Sequence, residues 1–270
     1  MIKQAIIPLA GLGTRLLPLT SVFAKELLPI NGKPGLEYII DECIEAGIKE
    51  IIFIISNKKI MIKNYFNNDA FFKKIIKKKK DKRISNEYKK ILKYKKMIKF
   101  VYQKSPRGTG DAVLKCKNLI KSKHFLMLMP DDLIINNNCS LSMIKLHNKY
   151  KSSVIASKKV NRRTVPRWGI FDLKKINKRN FLIKDVIEKP SVKSAPSNYA
   201  VIGRYILPTK IFKILEKQTP GQNGEIHITD SIRTLIHQKN KFIGHVFAGK
   251  YLDCGTMKGY INSFIEISKI

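Results

Sequence analysis

Residues 4–18 read QAIIPLAGLGTRLLP, an apolar run that leads directly into two glycines and an arginine. Gln4–Leu9 has the length and the apolar content of a buried strand. Glycines at the turn after a strand, here Gly11 and Gly13, let backbone N–H groups approach a phosphate closely. The dinucleotide-binding fingerprint does not apply, since its third glycine would fall at Leu16, and no Walker pattern occurs at this turn. The stretch predicts a phosphate-binding turn of a different kind, at the opening of an α/β fold.

Strand-like and helical patterns alternate beyond this turn, which is typical of a mainly parallel sheet covered by helices. Further apolar runs predict strands at Glu50–Ile55, Ile98–Tyr102, Phe125–Met129 and Ser153–Ser157. Amphipathic patterns predict one helix between Pro34 and Gly47 and another over 112–120. The second half is richer in strands, with candidates at Gly169–Leu173, Phe181–Ile187 and Tyr199–Leu207 and with helices near 209–217, 230–237 and from Met257 onward. We predict an α/β fold with a Rossmann-like, mainly parallel mixed sheet flanked by helices.

The composition is strongly basic, with 53 Lys and Arg against 20 Asp and Glu and a formal net charge of +33. Only nine of the cations are arginines, whereas recognition of bases and phosphates favours the planar fork of arginine. We therefore expect a lysine-covered, solvated surface without a specific nucleic-acid partner. The lysine-rich stretch 73–99 predicts a helical excursion between two strands. A solvated arm, a subunit contact and a phosphate-backbone binder remain open for it.

Cysteine usage and hydropathy indicate the compartment. The four cysteines are scattered without a C-x-x-C pair, which disfavours zinc sites and disulfide frameworks and fits a reducing cytoplasm. The beginning of the chain lacks the pattern of a signal peptide. No apolar run approaches the ~20 residues that a membrane span needs. We expect a soluble cytoplasmic protein with no membrane partner, and structural roles for its five histidines, which show no metal-ligand spacing.

Three charged residues lie at positions where they could bind a polyphosphate or its metal ion. Arg15 and Lys25 follow the glycine turn, where two cations could neutralise a polyphosphate. Asp131 follows the strand at Phe125–Met129, and the carboxyl ends of parallel strands form the mouth of such a sheet. A carboxylate there suits Mg²⁺, which prefers oxygen ligands and keeps waters and substrate phosphates. The neighbouring Asp132 is expected to support the loop instead.

A series of short motifs strengthens this interpretation. The pattern G-x-G-T-R-x-x-P-x-T begins at Gly11 and K-E-x-L-P at Lys25, and further motifs occur at 103–110, 130–132, 188–190, 199–205, 224–230 and 252–255. In this order and spacing they resemble the nucleotidyltransferases that make nucleotide sugars, and among these the bacterial UTP–glucose-1-phosphate uridylyltransferases. The resemblance covers nearly the whole chain. It implies a fold of the nucleotide-diphospho-sugar transferase type in a single domain over 1–270, with a nucleotide-binding half at 1–135 and a sugar-binding half at 136–270 that includes a C-terminal helix.

The resemblance also implies a reaction and a role for each matching residue. The reaction would transfer the uridylyl group from UTP to α-D-glucose 1-phosphate with Mg²⁺, giving UDP-glucose and pyrophosphate, in a homo-oligomer (dimer or tetramer). The catalytic cations would be Arg15 and Lys25, and the metal ligands Asp131 and Asp253. The nucleotide would be bound by Ala10, Gly11, Gly13, Gln103 and Gly108. The sugar phosphate would be bound by Gly169, Glu188, Lys189 and Gly203.

The chain departs from the family's usual pattern at four positions. Ser21 and Ala24 replace a common lysine and a common proline, and we expect them to loosen the loop that positions Lys25. Arg107 and Asp111 stand where leucine and histidine are usual, beside the base-reading glycine, so they bear on nucleotide preference.

Several alternatives remain open at this point. One is a thymidylyltransferase that uses dTTP. Another is a non-catalytic protein, either a regulatory homologue or a basic nucleic-acid binder, although the presence of Arg15 argues against a non-catalytic homologue. Glu225 is left unassigned, because capping of the helix that begins near Thr229 explains it as well.

Overall fold

The computed structural model of the chain describes residues 2–221 and 224–270. Its strands are β1 (Gln4–Pro8), β2 (Pro29–Ile30), β3 (Lys33–Pro34), β4 (Glu50–Ile55), β5 (Ile98–Tyr102), β6 (His124–Leu128), β7 (Asp132–Ile135), β8 (Ser153–Lys159), β9 (Gly169–Lys175), β10 (Asn180–Glu188), β11 (Tyr199–Pro208), β12 (Phe242–Val246) and β13 (Lys250–Asp253). Its α-helices are α1 (Gly35–Glu45), α2 (Ile60–Asn67), α3 (Asp69–Lys79), α4 (Lys82–Met97), α5 (Thr109–Leu114), α6 (Cys139–Tyr150), α7 (Ile211–Leu215), α8 (Ile228–His237) and α9 (Met257–Ile267).

Nine strands form one sheet in the order β5-β4-β1-β6-β11-β8-β12-β10-β9. The first four are parallel neighbours. Strand β11 is antiparallel to both β6 and β8, β12 is parallel to β8, and β10 is antiparallel to β12 and β9. Strands β10 and β11 therefore run against the other seven, and the predicted mainly parallel mixed sheet is confirmed. Strand β7 pairs with β13, and β2 with β3, in two small sheets beside the large one.

Helices cover both faces of the large sheet, as the alternation of side chains along β4 shows. Ile51, Phe53 and Ile55 pack into a core shared with α1, α2 and α6. Ile52 and Ile54 pack into a second core shared with α5, α7 and α8. Because both faces of β4 are buried, its sequence is apolar at nearly every position, as expected of a strand in a parallel sheet. Each such fully buried side chain contributes about 1.5–3 kcal/mol to folding.

The elements differ from the predicted ones where the pattern is weak. The predicted helix over 112–120 begins earlier and is shorter, since α5 ends at Leu114 and a 3-10 turn follows at Lys117–Leu119. Strands β2, β3, β7, β12 and β13 and helices α2 and α6 were not predicted. The other predicted strands and helices are present, with ends that differ by a few residues.

The lysine-rich excursion folds as the two helices α3 and α4 before the chain enters β5. Tyr88, Ile91 and Tyr94 are buried on one face of α4. The Tyr94 hydroxyl donates to Asp41 of α1 at 2.5 Å, so this face is attached to the core of the molecule. The other faces of α3 and α4 carry exposed lysines, among them Lys74, Lys77, Lys78, Lys89 and Lys93.

The burial of His124 and His245 lowers their pKa values, so we expect the protein to lose stability in mild acid. Burial and the neighbouring His147 lower the pKa of His124 to about 4, and burial and Arg179 lower that of His245 to about 4. The unfolded chain binds these protons near the ordinary pKa of 6.5 and the folded chain only near 4, so stability present above pH 6.5 is lost as the pH falls through this window.

The measurement is the urea midpoint between about pH 5 and 7, followed in the wild type and in His245→Gln. We expect the midpoint to fall with pH in the wild type and to fall less steeply in the variant. His237→Gln, at an exposed histidine that lies 3.3 Å from Asp185, is measured beside it for comparison. Equal slopes in all three proteins would contradict the assignment to His245.

Candidate active site

A cavity of about 360 Å³ opens beyond the carboxyl ends of β1, β5 and β6, where α5 begins. All the residues predicted to bind the nucleotide line it, together with one catalytic cation: Ala10, Gly11, Gly13, Gln103, Gly108 and Lys25. Its size lies within the range of small-molecule sites.

A second cavity, of about 470 Å³, adjoins the first. It is lined by the residues predicted to handle the sugar phosphate and the metal, and by the second cation: Gly169, Glu188, Lys189, Gly203, Asp131, Asp253 and Arg15. Thr109, Met129 and Glu225 line both cavities. The fold therefore brings every predicted site residue to one of two adjoining cavities, and their roles remain predictions.

The glycine turn is folded back on itself. Gly13 has a φ of +73°, in the left-handed region that favours glycine, and the Thr20 hydroxyl donates to its carbonyl oxygen at 2.9 Å. Ala24, one of the departures from the family pattern, is buried. Its N–H donates to the Met61 sulfur at 3.0 Å, a bond that a proline could not make. The turn thus has its own attachment to α2 just before Lys25.

Both predicted cations contact Asp131. The Lys25 ammonium lies 2.7 Å from Asp131 Oδ2 and the Arg15 guanidinium lies 3.4 Å from the same oxygen. Burial raises the pKa of Asp131, but Lys25 and then Arg15 outweigh it and hold the pKa below its ordinary value. Burial lowers the pKa of Lys25, but Asp131 and Glu26 outweigh it and raise the pKa. Both groups are therefore charged at neutral pH.

A second carboxylate lies next to Asp131. Strands β7 and β13 place Asp253 opposite Asp132, and the Cys254 N–H donates to the Asp131 carbonyl at 2.8 Å. A Cβ atom at Gly255 would lie 2.9 Å from Asp131 Oδ2 and 3.1 Å from Asp253 Oδ1, so the two carboxylate oxygens flank the same small space.

This pair fits Mg²⁺, which is usually held by one or two carboxylates together with substrate phosphates and waters. Within the described residues, three or more acidic, histidine or cysteine side chains do not come together as a metal site. A metal bound here would therefore be shared with the substrate.

Asp132 lines the second cavity as well, but both of its carboxylate oxygens are hydrogen-bonded within the protein. Its Oδ1 accepts a hydrogen bond from the Tyr251 hydroxyl at 2.6 Å, and its Oδ2 accepts one from the Gly203 N–H at 2.8 Å. Burial and the neighbouring Asp131 charge raise the pKa of Asp132 to about 6. The two hydrogen bonds place Asp132 in the supporting position that the sequence analysis expected.

A buried ion pair that the sequence analysis did not identify lies behind this loop. Arg204 of β11 is fully buried, and its guanidinium donates to both carboxylate oxygens of Glu42 in α1, at 2.8–3.1 Å. It also donates to the carbonyl oxygens of Met129 at 3.2 Å and Asp132 at 2.7 Å. These carbonyls lie on either side of Asp131. Arg204 therefore fixes the loop that carries the proposed metal ligand.

The base-reading segment is closed by backbone contacts with Ile226. Gly108 has a φ of +96°, and a Cβ atom there would lie 2.6 Å from the Ile226 carbonyl oxygen, so only glycine fits. The Gly110 N–H donates to that oxygen at 2.7 Å, and the Ile226 N–H donates to the Arg107 carbonyl at 2.9 Å. This pairing holds Glu225 at the boundary of the two cavities.

Glu225, which the sequence analysis left unassigned, lines both cavities. Helix α8 begins after His227, and its Ile228 N–H donates to the Thr109 hydroxyl at 3.3 Å. Among the described residues, the start of this helix is thus capped from α5 and not by Glu225, the role considered for it. The signal available in the sequence was the place of Glu225 in the segment 224–230, one of the motifs that match the family.

Three of the four residues predicted to bind the sugar phosphate, Gly169, Glu188 and Lys189, lie together at the end of β10, and Gly203 lies in β11. The Thr229 hydroxyl donates to Glu188 Oε2 at 3.3 Å, and a Cβ atom at Gly169 would lie 3.1 Å from the same oxygen. Lys189 has a φ of +46°, which is uncommon for a residue with a side chain. Its N–H donates to the Trp168 carbonyl at 3.0 Å, which stabilises this turn at the cavity wall.

Known proteins resemble the chain over nearly its full length. A family model described as nucleotidyl transferase matches residues 4–269. The UTP–glucose-1-phosphate uridylyltransferase of Bacillus subtilis is 35% identical over 268 residues, which is 99% of this chain and 91% of that protein. A crystal structure of UDP-glucose pyrophosphorylase complexed with UDP-glucose is 35% identical with a TM-score of 0.88, over 100% of this chain and 99% of that chain.

The UTP-bound UGPase from Acinetobacter baumannii is 33% identical with a TM-score of 0.91, over 99% of this chain and 93% of that chain. These likenesses extend over both cavities and all the segments that line them. The chain therefore belongs to the nucleotidyl transferase family and, within it, to the UTP–glucose-1-phosphate uridylyltransferases.

Proposed function

We propose that this protein transfers the uridylyl group of UTP to α-D-glucose 1-phosphate, giving UDP-glucose and pyrophosphate. The observation that carries the proposal is the pair of adjoining cavities. The glycine turn, Gln103 and Lys25 line the first cavity. The second is lined by Glu188, Lys189, Arg15 and the two carboxylates, and the Lys25–Asp131 ion pair at 2.7 Å joins the two groups. Full-length likeness to enzymes named for this reaction supports the choice of substrates.

The chemistry needs positioning and charge neutralisation more than proton transfer. The phosphate of glucose 1-phosphate is ionised near neutral pH, so its oxygen can attack the α-phosphorus of UTP without a general base. Lys25 and Arg15 offset the negative charge of the triphosphate and of the departing pyrophosphate. Lys189 and Glu188 orient the phosphate and the hydroxyl groups of the sugar.

Asp131 and Asp253 are the residues that would hold Mg²⁺. A bound Mg²⁺ supplies charge neutralisation at the reacting phosphates. The low pKa of Asp131 keeps its carboxylate available as a ligand. Lys25 contacts Asp131 Oδ2, so its ammonium would lie beside a metal ion held by that carboxylate.

The test is pyrophosphate release from UTP with glucose 1-phosphate and Mg²⁺, run beside dTTP, ATP, GTP and CTP. We expect strong release with UTP, loss of release when EDTA removes the metal, and recovery when Mg²⁺ is restored in excess. Release with dTTP alone would leave the proposed mechanism intact and show that UTP is the wrong nucleotide substrate. Folded protein that releases no pyrophosphate with any triphosphate would contradict the proposal.

The cellular setting is part of the same proposal. We place the enzyme in the cytoplasm as a homo-oligomer, without a specific nucleic-acid partner. All four cysteines are free thiols, which supports a reducing compartment. Among the helices of residues 2–221 and 224–270, none has the length and hydropathy to cross a bilayer. Light scattering in solution would measure the size of the assembly.

A further inference from the structure

The side-chain amide of Gln103 has both of its N–H groups in use. Its Nε2 atom donates to Asp111 Oδ2 at 2.8 Å and to the Gly108 carbonyl oxygen at 3.2 Å. An amide nitrogen has two hydrogens. Nothing on Nε2 is therefore left to donate to a ligand.

The opposite orientation of this amide is unfavourable. Rotating the amide group by 180° would exchange Nε2 and Oε1. It would place Oε1 against the Gly108 carbonyl oxygen and the Asp111 carboxylate. Each of those contacts would then join two acceptors inside a buried site, since Gln103 is 4% exposed and Asp111 5% exposed. A buried polar atom without a partner costs roughly 1–3 kcal/mol. Asp111 thus selects one orientation of the amide.

The other end of the amide is available to a ligand. Gln103 lines the first cavity. Across residues 2–221 and 224–270, its Oε1 accepts no hydrogen bond from the protein, although Nε2 makes two. Gln103 therefore offers the cavity an acceptor and no donor.

We propose that Asp111 is a specificity-determining residue, which holds Gln103 as an acceptor and so selects a pyrimidine nucleotide whose base presents an N–H group. Uracil and thymine carry this donor at N3. Cytosine carries a lone pair at N3, which would face Oε1 without a hydrogen. The inference rests on the proposed function, because it assumes that the base of the nucleoside triphosphate enters the first cavity.

Lys115 provides the matched control for this arrangement. Its ammonium lies 3.4 Å from Asp111 Oδ1, the oxygen that does not contact Gln103, and its side chain is 43% exposed. Lys115→Met removes a charge next to Asp111 and leaves the bond to Gln103 in place. A general disturbance of α5 would affect both variants, whereas the proposed role concerns Asp111 alone.

The experiment compares UTP with CTP in wild type, Asp111→Ala, Asp111→Asn and Lys115→Met. Two readouts are used: kcat/KM for pyrophosphate release and the affinity of each triphosphate by calorimetry. In Asp111→Ala only the longer contact with the Gly108 carbonyl oxygen, at 3.2 Å, still opposes the turned amide. We expect the UTP-to-CTP preference to fall by about 10–100-fold, the value of one buried polar partner. Asp111→Asn keeps an acceptor but adds a donor, so we expect an intermediate preference, whereas Lys115→Met retains all of it.

The outcomes separate this inference from the proposed function. An unchanged UTP-to-CTP ratio in Asp111→Ala, with normal use of UTP by the wild type, overturns the role of Asp111 and leaves the reaction standing. Equal loss of preference in Lys115→Met and Asp111→Ala also overturns it. If the wild type releases no pyrophosphate but binds UTP over CTP, and only Asp111→Ala loses that preference, the inference stands and the proposed reaction fails.

Discussion

Replacement of Arg15 by alanine is expected to lower kcat by about 10³-fold or more, the range seen when a charge-stabilising donor or an arginine finger is removed. Arg15 is 62% exposed and makes one ion pair, with Asp131 at 3.4 Å. An exposed pair of this kind contributes little to stability. The protein should therefore remain folded while catalysis is lost. Steady-state kinetics with saturating UTP and glucose 1-phosphate measure the effect, and urea unfolding verifies the fold.

Two further variants sharpen this experiment. Arg83→Ala removes an equally charged, exposed side chain from α4, far along the chain from the glycine turn, and should leave kcat unchanged. Arg15→Lys keeps the charge without the planar fork and should recover part of the activity. Near-normal kcat in Arg15→Ala, or loss of folding in that variant, would remove the catalytic assignment.

Glu42→Ala is expected to reduce the free energy of unfolding by about 3–5 kcal/mol, because it leaves the buried charge of Arg204 without its partner. The Glu42 carboxylate accepts three hydrogen bonds from Arg204, at 2.8–3.1 Å. It also accepts from the N–H and hydroxyl groups of Ser140, so α6 is joined to the same network. Urea unfolding followed by circular dichroism gives the difference.

The control for this variant is Glu45→Ala in the same helix. Glu45 is exposed and accepts a hydrogen bond from Asn138, and its loss should cost far less. The double variant Glu42→Leu with Arg204→Met removes both charges and should lose less stability than the two single variants together. A change in Glu42→Ala no larger than that in Glu45→Ala would contradict this account of the buried pair.

The parallel part of the sheet could be predicted because burial on both faces leaves an unbroken apolar run. Strand β4 reads EIIFII and lies at the predicted position. Strand β12 was missed since its five residues, FIGHV, include a glycine and a histidine. That glycine is required by packing, because a Cβ atom at Gly244 would overlap the ring of Phe181. Contacts of this kind are formed between distant segments and leave no local pattern.

The site could be predicted in its parts, but its geometry could not. Motifs identified Arg15, Lys25 and Asp131 individually, whereas the ion pairs that join them span more than a hundred residues. Arg204 was overlooked although a charged residue inside an otherwise apolar strand was visible in the sequence. Asp111 was recognised as a departure from the family pattern, but its bond to Gln103 became apparent only from the fold.

The pairing of β7 with β13 has a consequence for the order in which the molecule acquires its properties during translation. Strand β12 ends at Val246, so every strand of the nine-stranded sheet precedes residue 250. Asp253 and the strand that holds it opposite Asp132 are synthesised afterwards. All nine strands of the large sheet are therefore synthesised before Asp253, one of the two predicted metal ligands.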